Sequence, residues 1–190
     1  MRKKRIIVGV SGASGMPVAV ALLEALRRFP DWETHLILSQ GAARTLTYET
    51  DLTPDAMRAL AVCSHDPEDT GAPVASGTFQ AEGMIIIPCS MKSLAGIACG
   101  YADNLLLRAA DVCLKERRPL VLAVRETPLH AVHLTNMRRL AQLGVVIMPL
   151  MMSFYSRPRC LEDMTLHMTG KILDVFGLEL SDFKRWGEDE

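Results

Sequence analysis

At 190 residues, with 49% hydrophobic and 23% charged residues, the chain is long enough for one substantial core and too apolar to be disordered. A formal net charge of −1 leaves no electrostatic footprint for nucleic acid or an anionic membrane surface. The basic start, Met1 to Arg5, leads into an apolar run that Ser11-Gly12 breaks at once, which excludes a signal-peptide core and a membrane span; a cytoplasmic protein is expected.

In chain order, Arg5 to Val10 is a short apolar run closed by Gly-rich residues and predicts a buried strand. Pro17 suits the first turn of a helix, and Val18, Leu22 and Leu26 repeat every four positions behind it. Glu33 to Ser39 predicts a second strand, Gln40 to Thr50 a second helix, and Thr53-Pro54 the capped start of another. His65 to Gly77, rich in Asp, Pro and Gly, reads as loop. Gly83 to Pro88 is a third strand without alternation, so both its faces are covered. Helices are expected over Met91–Gly100 and Asn104–Arg117, a fourth strand over Pro119–Val124, and a helix over His130–Gln142. A fifth strand follows over Val145–Met148, and a last helix over Glu162–Phe176, stopped by Gly177. Strands and helices alternate, with no internal repeat or linker. The expectation is therefore one α/β domain, a doubly wound parallel sheet with helices on both faces.

The first loop, Gly9-Val10-Ser11-Gly12-Ala13-Ser14-Gly15, sits between strand and helix, where backbone N–H groups and the helix dipole favour an anion. Its glycines follow G-x-x-G-x-x-G rather than the dinucleotide spacing, and the second strand ends in Ser39 where a dinucleotide fold would place an acid. A mononucleotide such as FMN fits better than NAD. The plain alternative is a tight turn needing small residues.

Ser90, Met91, Lys92 and Ser93 directly follow the third strand, at the sheet edge where open α/β folds bind ligands. Helix capping by Ser90 is the simpler reading of that serine. Arg108, Asp111 and Lys115 share one helix face, a spacing that a solvated ion-pair stripe also produces. Arg125-Glu126 ends a very apolar strand, so Arg125 suits a phosphate and Glu126 an acid or base. Glu49 is ordinary in isolation, and Lys171 reads as surface. Phe154-Tyr155 and Trp186 are candidate ring walls in a chain with only 5% aromatic residues.

The five cysteines (Cys63, Cys89, Cys99, Cys113, Cys160) are odd in number and scattered, so disulfides are not expected; Cys99 and Cys113 have apolar neighbours and read as buried. His130 and His133 can share a helix face as a metal pair, but no third ligand stands nearby and no metal is expected.

Taken together, the motifs SGASG (11–15), ETD (49–51), PCSMKSLAG (88–96), DNLLLRAADVCLKERRPLVL (103–122), RETP (125–128), HLTNM (133–137), FY (154–155) and RWGE (185–188) resemble the flavin prenyltransferases of the UbiX type from end to end. The CSMKSLAG version resembles members that accompany hydroxyaryl-acid decarboxylases. The resemblance implies a Rossmann-like, flavodoxin-type subunit in a homododecamer with active sites at subunit interfaces, its C-terminal tail (about 178–190) covering the site. It implies a metal-independent transfer of a dimethylallyl group, from dimethylallyl monophosphate to N5 and C6 of reduced FMN. The product, prenylated FMN, then serves a UbiD-type decarboxylase.

By the same motifs, Gly12, Ala13, Ser14, Ser39, Ser90, Met91, Lys92, Ser93 and Arg125 would contact the flavin nucleotide. Arg108, Lys115, Arg125, Tyr155, Lys171 and Trp186 would surround the prenyl phosphate, and Ser14, Glu49 and Glu126 would manage protons. Two departures stand out: Lys171 replaces a common Arg and Thr135 a common Glu. Two competing readings are a flavin-dependent cysteine decarboxylase on the same fold and a non-catalytic flavin carrier. The former carries a Pro-Ala-Ser-Ala-Asn-Thr type motif where this chain has Pro-Cys-Ser-Met-Lys-Ser.

Overall fold

A computed structural model describes residues 3–187. Three strands form the centre of the sheet: β1 (Lys4–Val10), apolar from Ile6 onward, and the wholly apolar β4 (Gly83–Cys89) and β5 (Leu120–Val124). Every residue of β4 and β5 is buried, as expected for strands covered on both faces. Beside them lie β2 (Trp32–Leu38), the three-residue edge strand β3 (Cys63–His65) and β6 (Val146–Ile147). All pairings are parallel, in the order β3-β2-β1-β4-β5-β6. The five expected strands form the flavodoxin-type order, and the unexpected β3 extends it by one.

The helices divide between the two faces. α1 (Met16–Leu26), α2 (Gln40–Glu49), α3 (Pro54–Arg58) and α7 (Leu161–Asp174) cover one, with Leu22, Leu46, Met57 and Ile172 in a core against Ile6, Val8 and Ile85. α4 (Met91–Cys99), α5 (Leu105–Lys115) and α6 (Ala131–Gln142) cover the other, where Leu94, Leu106 and Leu140 pack with Ile7, Met84 and Leu122. The expected helices all form, with ends within about two residues of the sequence reading, the usual scatter of helix boundaries. α6 buries only Leu140, and its Val132, Leu134 and neighbouring Leu143 are more than half exposed. That unpartnered apolar face suits contact with another subunit.

The order reverses between β1 and β4: connections leave β1 toward β2 and β4 toward β5. The loops after these strands diverge and leave a crevice at their carboxyl ends. The first loop and the Ser90 segment both open onto it.

Among the described residues no helix is long and apolar enough to cross a membrane. All five cysteines are free. Cys113 is buried as expected, but Cys99 is exposed, because it ends α4 on the solvent side with its thiol directed at the Gly96 carbonyl.

Candidate active site at the sheet switch point

Ser11 fixes the first loop to the segment after β4. It is buried; its N–H and hydroxyl both donate to the Pro88 carbonyl (3.3 and 2.8 Å), and its Oγ accepts from the Ser90 N–H at 2.7 Å. Neighbouring Gly12 passes so close to α2 that a Cβ there would lie 3.1 Å from the Gly41 backbone. Gly15 caps α1 with φ 121°, a region glycine tolerates, and a Cβ on it would meet Leu150 at 2.9 Å. The first loop thus lies against both the start of α2, which follows Ser39, and the Ser90 segment ahead of α4.

Ser39 and Ser90 also carry the simpler role foreseen for them. Ser39 Oγ accepts from the Ala42 N–H at 3.1 Å and Ser90 Oγ from the Ser93 N–H at 3.3 Å, capping α2 and α4. Ser39's capping hydroxyl accepts one bond and keeps its own hydrogen for a ligand, whereas the Ser90 and Ser93 hydroxyls also bond each other at 3.2 Å and so keep one hydrogen between them. Lys92 is exposed beside them.

The structure gives Glu49 a function that its sequence context hid. It ends α2, and one carboxylate oxygen accepts both the Gly15 and Met16 N–H groups at 2.8 Å, at the N-terminus of α1. The anion seat that the helix start offers is therefore filled from within the chain. Burial pushes the Glu49 carboxyl up, but bonds from Ser14, Gly15 and Met16, with the charge of Arg125, outweigh it and hold the group below its ordinary value. Glu49 is thus an ionised acceptor at neutral pH, with the Ser14 hydroxyl bonded to it and Arg125 close by.

Glu126 is exposed at the end of β5, its Oε1 accepting the Thr127 N–H at 3.0 Å. Glu49, Ser14, Gly15, Met152, Leu161 and Met168 line a cleft of about 350 Å³ with an apolar outer wall.

A second cluster abuts that cleft through Met168, which also lines a cavity of about 160 Å³ with Met148, Leu150, Met151, His167 and Lys171. Tyr155 is hydrogen-bonded through its hydroxyl to His167 Nε2 at 3.2 Å. Trp186 stands edge-on to Tyr155 at 5.3 Å and is 80% exposed. Burial, and then the charge of Lys171, lower the His167 pKa. Tyr155 and Lys171 thus meet at His167, which the sequence reading missed, with Trp186 set against Tyr155. Its signal was the four-residue spacing to Lys171 along α7.

The tail lies along α7: Phe183 packs on Gly170, and Arg185 grips Asp174 with two bonds of 2.9 and 2.6 Å. Glu188 and the rest of the expected covering segment up to 190 lie outside the described residues.

Within the protomer Arg108 and Lys115 are held in ion pairs of their own. Lys115 pairs with Glu116, and its Nζ lies 2.7 Å from where a Cβ on Gly77 would sit. That places it beside the starts of β4 and β5, a seven-residue strand away from Ser90, or about 20 Å. Arg108 lies two turns earlier on α5 and pairs with Asp111 at 2.7 Å. Lys115, at the far end of α5, therefore stands apart from the Ser14–Glu49 loop within one protomer.

His130 and His133 do stack, with ring centroids 3.5 Å apart. The described residues place three potential metal ligands together only elsewhere, at His35, Cys63 and His65.

The pattern of the Flavoprotein family matches residues 1–175. Flavin prenyltransferase UbiX of Escherichia coli K12 is 52% identical over 96% of this chain and 98% of its own length. Among solved structures, AnUbiX (PadA1) in complex with FMN and dimethylallyl pyrophosphate superimposes with a TM-score of 0.97 at 48% identity, covering 100% of both chains. A dodecameric FMN-dependent UbiX-like decarboxylase from Escherichia coli O157:H7 gives a TM-score of 0.95 at 50% identity, over 96% of this chain and 98% of that one. The peptidyl-cysteine decarboxylase EpiD, by contrast, is 15% identical with a TM-score of 0.64, a likeness of fold alone. With half of its residues shared along almost its whole length, the chain belongs to the Flavoprotein family and, within it, to the UbiX-type flavin prenyltransferases.

Proposed function

We propose that this chain joins a dimethylallyl group from dimethylallyl monophosphate to N5 and C6 of reduced FMN, releasing phosphate and giving prenylated FMN for a UbiD-type decarboxylase. The observation that carries this reading is the ionised Glu49 locked onto the first loop with the Ser14 hydroxyl bonded to it, in a protein of this family.

The donor set fits a flavin mononucleotide. Hydroxyls of Ser39, Ser90 and Ser93, with Lys92 and Arg125, supply donors to a phosphate and a polar ring edge, and no acidic residue ends β2 to select a second ribose. Reduced flavin supplies the nucleophilic N5 and C6 when bound. Ser14 and Glu49 then hold a hydrogen-bonded path by which a proton can leave the substrate, Ser14 Oγ passing it toward the carboxylate. Glu126, exposed at the mouth of the crevice, is free to take a second proton role. Methionines 152, 164 and 168 and Leu161 form an apolar wall that excludes water from an allylic cation, and Tyr155 and Trp186 offer it π faces.

Lys171 beside His167, with Arg125, supplies cationic charge for the departing phosphate. Arg108 and Lys115 add to that cradle, Lys115 from a neighbouring subunit of a dodecamer, since its own protomer holds it at the far end of α5 near the opposite sheet edge. The exposed Met151, Met152, Phe154, Tyr155, Leu161 and Trp186, each at least half accessible, become buried in such an assembly. The enzyme works in the cytoplasm.

Anaerobic incubation of the purified protein with reduced FMN and dimethylallyl monophosphate, then mass spectrometry of the extracted flavin, tests the reading. A flavin heavier by one C5 unit is expected. Turnover with the pyrophosphate alone would correct the donor, and unmodified FMN with either donor would refute the reaction.

A further inference from the structure

The edge strand β3 was invisible in the sequence, and its register creates a feature with no part in the flavin reaction. β2 and β3 pair in parallel with His35 opposite Cys63 and Ile37 opposite His65. Side chains alternate along a strand, so Cys63 and His65 share a face, and in-register His35 shares it too. It is the face on which Ile37 and Ile7 are buried. Three donor atoms of these residues lie within 4.8 Å of one another, and His35 Nδ1 is 3.0 Å from His65 Nε2. The two rings stack at 5.3 Å, and Phe79 closes the far side edge-on to His35 at 5.0 Å.

Packing alone does not call for this set. His35 is only 9% exposed, and its outer nitrogen, Nε2, is buried without a partner, a polar cost that an apolar residue would avoid. The two facing imidazole nitrogens hold one hydrogen between them in a 3.0 Å hydrogen bond, the position a metal ion would take over.

We propose that His35, Cys63 and His65 form a binding site for one divalent transition-metal ion of the zinc type, pinning β3 to the sheet. Two imidazoles and a thiolate are a donor set that zinc accepts, with its fourth position left to water or a carboxylate. Metal–nitrogen bonds of about 2.0–2.1 Å at tetrahedral angles separate two nitrogens by about 3.3 Å, so the facing pair need open by only a few tenths of an ångström. The thiol has further to move, and a side-chain rotation of Cys63 at the start of its strand supplies it. On binding, the thiol releases its proton, and the hydrogen between the imidazoles passes to the outer nitrogen of its own ring.

The charge around the site is mixed. Arg5 opposes a cation, but it is paired with Glu33 at 3.2 Å, and Asp69 acts on His65. His35 lies four residues before Ser39 along β2, about 13 Å from the crevice. The ion therefore serves the fold, and the flavin reaction is independent of it.

The test is titration of the metal-stripped full-length protein with Co²⁺, followed by thiolate-to-cobalt charge-transfer absorption. Saturation at one ion per protomer is expected, with the band abolished in Cys63→Ser and retained in a Cys99→Ser/Cys160→Ser variant. His65→Gln is expected to weaken binding by more than about 100-fold, beyond what loss of an outer partner costs. Circular dichroism and oligomer size check that each variant is folded, and Cys63→Ser is expected to keep full prenylation rates. Absence of the band in the wild type, or its persistence in Cys63→Ser, would overturn the proposal.

Discussion

Glu49→Gln isolates the link between the second helix and the first loop. In the wild type one carboxylate oxygen receives two backbone bonds of 2.8 Å, from Gly15 and Met16. Bonds to a charged acceptor contribute about 1.5–3 kcal/mol each and neutral ones about 0.5–1.5, so the amide forfeits about 1 kcal/mol per bond. Glu49 is partly solvated, which trims the total to about 1–2 kcal/mol. For a chain of this size that lowers Tm by about 3–6 °C at pH 7 and fixed protein concentration. The pH dependence gives the sharper check. The folded-state pKa of Glu49 lies below its ordinary value of 4.5, so its stabilisation is complete above that value and is lost as pH falls through the folded pKa. Thermal melts of both proteins at a series of pH values should show a gap that is constant near neutrality and shrinks below pH 4.5. A gap independent of pH, or no gap at pH 7, would refute the anchoring role.

Other perturbations address the remaining parts of the site. Glu126→Gln should leave FMN binding intact and slow ring formation by about 10²-fold or more, read by single-turnover flavin spectra; unchanged turnover removes Glu126 from proton transfer. Lys171→Ala should raise KM for the prenyl phosphate at least about tenfold, whereas Lys171→Arg, with its two-pronged donor, should lower it; equal KM values in all three proteins would place Lys171 outside the phosphate site. Gly170→Ala should destabilise the protein by about 1–3 kcal/mol, because the new methyl would lie 2.4 Å from the Phe183 ring. Chemical denaturation measures that loss, and limited proteolysis should find the tail after residue 178 released.

The centre of the fold was legible because parallel strands buried on both faces must be continuously apolar, as Ile85-Ile86-Ile87 and Leu120 to Val124 are. β3 was not, since three residues reading Cys-Ser-His at an edge carry no apolar run and stand beside an Asp/Pro-rich loop. The first loop and the serines after β4 announced themselves by residue type and position. Glu49 did not, because its meaning depends on the end of α2 meeting the start of α1, 33 residues earlier in the chain. Resemblance to the family named it where pattern could not. Arg108 and Lys115 show the opposite limit: their helical spacing reads as a solvated ion-pair stripe, and in the protomer both do pair with neighbouring acids, so a role at the prenyl phosphate rests on the family resemblance rather than on pattern.

The central claim is that one protomer supplies the Ser14–Glu49 loop and another the Lys115 cation of the same prenyltransferase site. Co-expression of two inactive variants, Glu49→Gln and Lys115→Ala, followed by the flavin mass assay on the mixed oligomers, tests it directly. If the residues come from different subunits, random assembly leaves about a quarter of the sites intact, and prenylated FMN should form at about that fraction of the wild-type rate. Mixed oligomers as inactive as either parent would contradict the account, because they would place both residues on the same protomer's contribution to the site.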